Sequence, residues 1–326
     1  MSTVELDWKL RFAKLLFHYD PKRIRVNEAH SLKENFIPNG LYKYRSFSDS
    51  HLDALERDVL YQSAPVFFND PYDSAIYFEP QRMLVEDLSL MTREQRDTLF
   101  KEAHANPEAT VRRPFINPIT SAALRAKFVA EMHGVSEDQM QSLVKGLAEI
   151  DRRLHEQSVT EMGRFLRSNY SVISFTEDPS SVLMWSHYSA NHTGFCIEYN
   201  MSPSDERQRF IRRICYPVFY RKKLLDISRH LFKKDVDSFN NLVGLFTCIL
   251  KSDEWAYERE WRMVLPVGEA NANVAFNMPA PSALILGISS TAKDEERLRA
   301  ISRSKNIPLK RMHQHYNAFR LEVRDA

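Results

Sequence analysis

The chain has 326 residues, of which 43% are hydrophobic and 27% charged, and its formal net charge is +2. These values are typical of an ordinary globular protein and do not indicate nucleic acid as a partner, although they leave a local basic patch open. The eight glycines form neither a dinucleotide-binding fingerprint nor a P-loop, and three scattered cysteines exclude a disulfide framework.

No apolar run reaches the length of a membrane span, and the N-terminus carries charged residues where a signal peptide would be apolar. We therefore expect a cytoplasmic protein without a membrane partner.

The N-terminal part is predicted to combine helices with short strands. Apolar residues at helical spacing predict a first helix over 4–19. Turn residues, a helix cap at Ser48 or Asp49, and alternating apolar residues then predict the following elements: a strand at Leu41–Arg45, a helix to about Arg57, a strand near Val59–Ser63 and a loop at Phe68–Asp73.

The middle of the chain has a different character. Residues 80–169 are charged, and their amphipathic pattern predicts helices, with interruptions near Pro107 and between Pro114 and Pro118. We interpret this segment as a helical insertion or lid. The remaining ranges, 1–79 and 170–326, are expected to form one core.

The C-terminal half returns to short strands. Its predicted strands are Tyr170–Thr176, Gly194–Tyr199, Ile211–Val218, the segment following Glu258, Ala283–Ile288, Leu309–Met312 and Phe319–Val323. Its predicted helices are Ser181–Ser189, 235–251 and Lys293–Ser304. This order predicts an α+β fold with short mixed or antiparallel strands in a central split sheet, a helical insertion and peripheral helices.

The stretch Trp255–Pro266 places two carboxylates, Glu258 and Glu260, beside Trp255, Tyr257 and Trp261 at the start of an apolar strand. On a strand, residues i and i+2 share a face and lie about 7 Å apart. Two acids in one site can have separated pKa values and different roles. The alternative is a half-buried strand on which they face solvent or pair with Arg259 and Arg262.

Three groups in chain order would suit transfer of ADP-ribose from NAD. Arg45 offers a bidentate fork for phosphate, Ser174 and Thr176 supply hydroxyls, and the glutamates can stabilise a sugar cation and accept a proton. Each residue also has a plainer interpretation, Arg45 as a surface charge and Ser174 as an ordinary strand hydroxyl.

Two groups of histidines are further candidates for a functional site. His187 lies near Trp185 and Tyr188 on a predicted helix, where it can face a cleft or be a core histidine. The pair His313-x-His315 lacks a nearby cysteine or acid cluster, so we interpret it as a surface pair and expect no metal.

Several of these motifs resemble an uncharacterised bacterial family, domain of unknown function 2971. They are Tyr42–Arg45, Phe68–Asp73, Ser174-Phe175, Met184–Tyr188 with His192 and Gly194, and Trp255 with Glu258, Glu260 and Arg262. The resemblance runs from about residue 40 to the C-terminus and implies no activity.

A more distant resemblance concerns activity. The order Arg45, Ser174-x-Thr176, Glu258-x-Glu260 is similar to the arginine–serine–glutamate class of ADP-ribosyltransferases. That resemblance implies that Arg45 holds NAD, Ser174 and Thr176 shape the nicotinamide pocket, Glu260 bonds the ribose and Glu258 activates the acceptor. The segment between Arg45 and Ser174 is longer than in compact toxin domains.

The sequence thus predicts an ADP-ribosyltransferase-like enzyme, a toxin or defence effector, with NAD or another nucleotide as ligand and an unknown acceptor macromolecule. Tyr44, Asn69, Trp185 and Tyr188 are expected to line the NAD site with the residues above, and Asn69–Asp73 to form its wall. Two alternatives remain: a metal-dependent hydrolase or nuclease using His187 with Asp70 or Asp73, and a non-catalytic module that binds a nucleotide or peptide.

Overall fold

The computed structural model describes residues 3–78, 92–94, 136, 138, 156–157, 159–231, 240–268 and 274–326. Most of the predicted insertion at 80–169 lies outside these residues, and within it 159–168 are helical. The fold is α+β, as predicted.

Besides residues 159–168, the described part contains the helices α1 (Thr3–Leu16), α2 (Val26–Glu34), α3 (Asp49–Glu56), α4 (Val182–Tyr188), α5 (Glu206–Ile214), α6 (Ser228–Leu231), α7 (Val243–Thr247) and α8 (Ala292–Lys305). Short 3-10 helices span Pro21–Arg23, Pro65–Phe67 and Asp253–Glu258. No helix in the described part is long and apolar enough to cross a membrane.

The strands are β1 (Gly40–Arg45), β2 (Val59–Gln62), β3 (Ile76–Tyr77), β4 (Tyr170–Thr176), β5 (Phe195–Asn200), β6 (Cys215–Pro217), β7 (Phe219–Arg221), β8 (Leu225–Asp226), β9 (Leu250–Ser252), β10 (Glu260–Pro266), β11 (Val274–Asn277), β12 (Ala283–Leu286), β13 (Leu309–Gln314) and β14 (Leu321–Asp325).

Eight strands form one sheet in the order β14-β13-β12-β5-β1-β4-β10-β6. Its pairs are antiparallel except for the parallel pair β12–β13. The predicted meeting of residues 41–45, 171–176 and 260–265 is confirmed, since β1, β4 and β10 are neighbours in the sheet.

The register assigns each side chain to one of two sheet faces. Thr176 pairs with both Tyr42 and Glu260, and Arg262 pairs with Ser174. Because side chains alternate along a strand, these residues share one face, which we call the site face. The residues between them, such as Phe175 and Trp261, point to the opposite face, which we call the core face.

The core face carries most of the hydrophobic core. Trp261 is 1% exposed and stacks on Trp8 of α1, with ring centroids 6.2 Å apart. Burying a large apolar side chain of this kind stabilises a fold by about 1.5–3 kcal/mol. Helix α1 therefore holds β10 from behind and fixes the direction in which its polar residues point.

A smaller cluster covers part of the site face. Helix α4 begins at the cap Ser181, whose hydroxyl accepts a hydrogen bond from the Met184 backbone N–H at 3.3 Å. Trp185 on this helix is fully buried and meets the ring of Tyr44 edge-on at 5.0 Å. The helix is thereby anchored over β1, and Tyr188 near its C-terminal end bonds to Glu258 of the 3-10 helix.

Two predicted elements were wrong in part. Residues Ile211–Ile214 belong to helix α5, which starts at the cap Asp205, and only Cys215–Pro217 form a strand. In the segment 235–251, helix α7 covers Val243–Thr247 and Leu250–Ser252 form β9, while 235–239 lie outside the described residues. Parallel pairing of β9 with β7 overrode the helical spacing there.

Candidate functional site

Glu258 and Glu260 come from different elements, so the expectation that both lie on one strand was wrong. Glu260 begins β10, whereas Glu258 ends a 3-10 helix. Arg259 between them has a φ of +46°, in the left-handed region, which an L-residue adopts at a cost of about 1 kcal/mol. The left-handed conformation of Arg259, rather than strand alternation, therefore determines the relative positions of the two carboxylates.

The two carboxylates meet at a buried lysine. Lys251 of β9 donates from Nζ to Glu258 Oε2 at 2.5 Å and to Glu260 Oε2 at 3.3 Å. The same Nζ lies 3.9 Å from Asp73 Oδ2. Lys251 therefore links three carboxylates in a site that solvent barely reaches.

A buried arginine completes the group. Arg262 is 1% exposed. Its Nη1 and Nη2 donate to the two oxygens of Asp73 at 2.7 and 2.6 Å, and its Nε and Nη2 donate to the two oxygens of Glu260 at 2.8 and 2.9 Å. Nη1 also donates to the Cys248 carbonyl at 2.8 Å. All five guanidinium donors are used, which is what a buried charge requires.

We call Asp73, Lys251, Glu258, Glu260 and Arg262 the ion cluster. With every member ionised, three carboxylates face two cations, so one negative charge remains. That charge is buried, where electrostatic interactions are stronger than in water.

Glu258 faces the outside of the cluster. Its Oε1 accepts a hydrogen bond from the Tyr188 hydroxyl at 2.7 Å. His187, next to Tyr188 at the end of α4, is exposed and has its ring centroid 6.4 Å from that of Tyr257. The end of α4 and the aromatic 3-10 helix thus form a rim around Glu258.

Glu260 is enclosed more completely. Its backbone N–H donates to the Tyr220 hydroxyl at 2.8 Å, and the Ser174 hydroxyl hydrogen-bonds to its carboxylate. Ser174 and Thr176, the predicted pair, thus differ in their side-chain hydrogen bonds, since the Ser174 hydroxyl bonds to a glutamate. The Thr176 hydroxyl instead accepts from the Asp178 N–H at 3.0 Å, which ends the strand.

The surroundings shift the two glutamates in opposite directions. Burial, followed by the charge of Glu260, raises the pKa of Glu258 above its ordinary value. Burial also acts to raise the pKa of Glu260, but Arg262 and Lys251 outweigh it and lower that pKa well below its ordinary value. Of the two glutamates, Glu258 is therefore the one that keeps its proton to the higher pH.

Lys251 and Arg262 remain cations. Burial by itself acts to lower the pKa of Lys251, but the charges of Glu260, Glu258 and Asp73 raise it. The Asp73 and Glu260 carboxylates likewise outweigh burial and raise the pKa of Arg262 well above its ordinary value.

The structure does not bring Arg45 to the glutamates. Tyr42 and Tyr44 of β1 lie on the site face, so Lys43 and Arg45 project to the core face. Burial lowers the pKa of Arg45, and the largest opposing effect comes from Tyr199, which is also on the core face. The expectation that Arg45 shares one site with Glu260 is corrected by this strand register.

Tyr44 and Trp185 were expected to line the NAD site, but their polar atoms bond to a neighbouring loop. The Tyr44 hydroxyl donates to the Asp178 carbonyl at 2.8 Å, and Trp185 Nε1 donates to the Pro179 carbonyl at 2.8 Å. Both side chains are buried, and their polar atoms bond to the backbone. They hold the loop before α4 in place.

The loop Asn69–Asp73 was expected to form a wall of the NAD site, but only one of its ends joins the ion cluster. Asp73 is 2% exposed and belongs to the ion cluster, whereas Asn69 is exposed. Between them, Asp70 Oδ1 accepts from the Tyr72 N–H at 2.8 Å and fixes the turn.

The aromatic residues of the Trp255–Trp261 stretch divide between the faces. Trp255 has its ring 4.9 Å from Lys251 Nζ, and the rings of Trp255 and Tyr257 are 6.0 Å apart. Trp261 lies on the core face instead and does not wall the glutamates.

Two cavities are relevant to binding. One of about 330 Å³ lies beside the ion cluster and is bordered by Lys251, Trp255 and the basic residues that follow Tyr220. A second, of about 490 Å³, lies between α3 and α8 and is lined by Asp49, Asp53, Glu56 and Arg297. The first cavity alone touches a residue of the ion cluster.

Sequence reasoning missed Lys251. Its signal was a lysine directly after the apolar run Cys248-Ile249-Leu250, where a lone charge requires a buried partner. Asp73 was predicted as part of the pocket wall and as a possible hydrolase partner of His187, and Arg262 as a possible ion-pair partner of the glutamates. The salt bridge between Asp73 and Arg262 was not predicted.

A comparison with protein-family models matches residues 184–263 to the family described as "Protein of unknown function (DUF2971)". The matched stretch includes α4, Lys251, both glutamates and Arg262. The motifs at Tyr42–Arg45, Phe68–Asp73 and Ser174-Phe175 lie outside it. Comparisons with curated proteins and with solved structures gave no match.

Proposed function

We propose that the protein is an enzyme that cleaves the nicotinamide–ribose bond of NAD and transfers ADP-ribose to an acceptor, with Glu258 as the group that exchanges a proton. The observation that carries this proposal is that two adjacent buried carboxylates, Glu258 and Glu260, share Lys251, while Glu258 also bonds to Tyr188 at the rim. These surroundings shift the two pKa values in opposite directions, which is typical of acid–base pairs in active sites.

In the proposed reaction, the ion cluster stabilises the ribose cation and Glu258 accepts the proton of the acceptor. As the bond between nicotinamide and the ribose carbon breaks, its electron pair leaves with nicotinamide and the ribose becomes cationic. The residual negative charge of the ion cluster stabilises that cation. The acceptor then bonds to the ribose carbon, and its proton passes to Glu258.

Glu260 is a positioning residue in this scheme. Arg262 and Lys251 occupy its oxygens. Its charge raises the pKa of Glu258 and helps to hold Lys251 against it.

Nicotinamide release from NAD tests the proposal. Glu258→Gln keeps the side-chain shape and removes the base, so transfer to an acceptor, or to water, should fall on the order of 100-fold. Glu206→Gln, an exposed carboxylate on α5, is the matched control and should keep the wild-type rate. Chromatography of the product at equal protein concentration measures both. Absence of release by the wild type, or an unchanged rate in Glu258→Gln, would refute the enzyme.

A non-catalytic nucleotide-binding module is the second candidate. The observation in its favour is that all four oxygens of Glu258 and Glu260 already accept hydrogen bonds from protein groups. Saturable nucleotide binding without turnover would favour it. The hydrolase or nuclease alternative stays a prediction, and Asp73, one of its two candidate partners for His187, gives both oxygens to Arg262.

A further inference from the structure

Three consecutive cations line the cavity beside the ion cluster. Arg221 ends β7, and Lys222 and Lys223 follow it in the connection to β8. All three are exposed. Within the described ranges, none of them forms a salt bridge or donates a side-chain hydrogen bond to another residue. Three exposed cations in one concavity raise the local concentration of anions.

The cavity also offers aromatic surfaces. Trp255 and Tyr72 both line the cavity; Trp255 is half-buried and Tyr72 is 65% exposed. Flat rings at the edge of a basic cavity suit a ligand that carries both phosphate and a planar base, because bases stack on such rings.

The cavity adjoins the proposed reaction site. Tyr220 is the β7 neighbour of Lys251 and reaches the Glu260 backbone, while the next residue, Arg221, lines the cavity. Lys251 borders the cavity and contacts both glutamates. A ligand in the cavity would therefore lie next to Glu258.

We propose that this cavity binds the phosphate-bearing part of a nucleotide. Its phosphates contact Arg221, Lys222 and Lys223, and its base stacks on Trp255 or Tyr72. The volume of about 330 Å³ is at the small end of ligand pockets and suits a single nucleotide unit rather than a polynucleotide.

This inference rests on the proposed function only for the identity of the nucleotide as NAD. It also gives Arg221–Lys223 the phosphate-holding role that the sequence suggested for Arg45.

Calorimetric titration of the full chain with ADP tests the site. ADP contains the phosphates, ribose and base but no nicotinamide, so its binding is independent of catalysis. The triple variant Arg221→Ala, Lys222→Ala, Lys223→Ala should bind ADP about tenfold or more weakly, the effect of losing roughly one charge-assisted contact. The control Arg209→Ala, Lys293→Ala, Arg303→Ala removes the same charge from exposed helix positions and should bind within about twofold of wild type.

Further variants separate this site from general charge effects. Trp255→Ala should weaken both ADP and adenosine, because it removes stacking, whereas the cavity triple variant should leave adenosine almost unchanged. Failure of the wild type to bind ADP, an equal loss in the control triple variant, or binding of single-stranded oligonucleotide in place of ADP would overturn the site. A wild type that binds ADP but releases no nicotinamide from NAD would instead refute only the proposed reaction.

Discussion

The ion cluster has an inner half, Asp73, Glu260 and Arg262, and an outer half, Lys251 and Glu258. Both halves are held together by hydrogen-bonded ion pairs, but they differ in how completely those pairs are formed. In the inner half, Arg262 joins Asp73 to Glu260 through paired hydrogen bonds and no donor is left over. In the outer half, Lys251 holds Glu258 through one bond, and the second oxygen of Glu258 depends on the Tyr188 hydroxyl at a rim that includes exposed His187.

This difference separates stability from reactivity. A buried charge whose partners are complete is fixed in one ionisation state, and breaking it is costly. A carboxylate at the edge of such a group, with a like charge beside it, has its pKa moved toward neutrality. The inner half therefore serves as the rigid frame for the titratable outer half.

The largest expected effect is on the inner half. Arg262→Met keeps most of the volume but leaves Asp73 and Glu260 buried without their partner, so unfolding free energy should fall by about 3–5 kcal/mol. The control is Arg259→Met, since Arg259 pairs with Glu177 in an ion pair that is 55% exposed at the arginine. That change should cost no more than about 1 kcal/mol. Urea unfolding at pH 7 measures both, and similar losses would contradict the frame.

The next effect compares the two glutamates. The pKa of Glu260 is lower in the folded than in the unfolded chain, so its stabilising effect is present above the ordinary value of 4.5 and is lost as pH falls through the folded-state pKa. The pKa of Glu258 is raised, so its contribution has the opposite sign and is lost as pH rises. Glu260→Gln should therefore destabilise more than Glu258→Gln at pH 7, by about 2 kcal/mol.

The difference between these variants should shrink as pH falls below about 4.5, where the unfolded chain also becomes protonated. Urea unfolding of both variants at pH 7 and at pH 4 supplies the comparison. A difference that is independent of pH would mean that size or hydrogen bonding, rather than charge, distinguishes the two positions.

The sequence predicted the sheet better than the site, for a physical reason. Strand patterns gave β1, β4 and β10 almost to the residue, because alternation and turn residues are local signals. Which face Arg45 occupies depends instead on its partner strand. A one-residue change of register moves every side chain to the other face, and nothing local to Tyr42–Arg45 fixes that register.

Glu258 illustrates a second limit. A strand pattern and a 3-10 helix followed by a left-handed residue look alike over two or three positions. Arginine does not favour positive φ, so nothing in the sequence indicated the left-handed conformation of Arg259. Lys251 reaches the site from β9, which pairs with β7, so its approach depends on tertiary contacts.

The smallest expected effect tests whether the outer half carries the chemistry. Tyr188→Phe removes the hydroxyl that donates to Glu258, which should cost about 1 kcal/mol of stability. That hydrogen bond lowers the pKa of Glu258, so the variant should raise it. If ionised Glu258 accepts the proton of the acceptor, the acidic limb of the pH–rate profile for nicotinamide release must move to higher pH. Tyr257→Phe removes a neighbouring hydroxyl that makes no such bond to Glu258 and should leave the limb in place. A profile that moves equally in both variants, or in neither, would separate Glu258 from the rate and leave the ion cluster with a purely stabilising role.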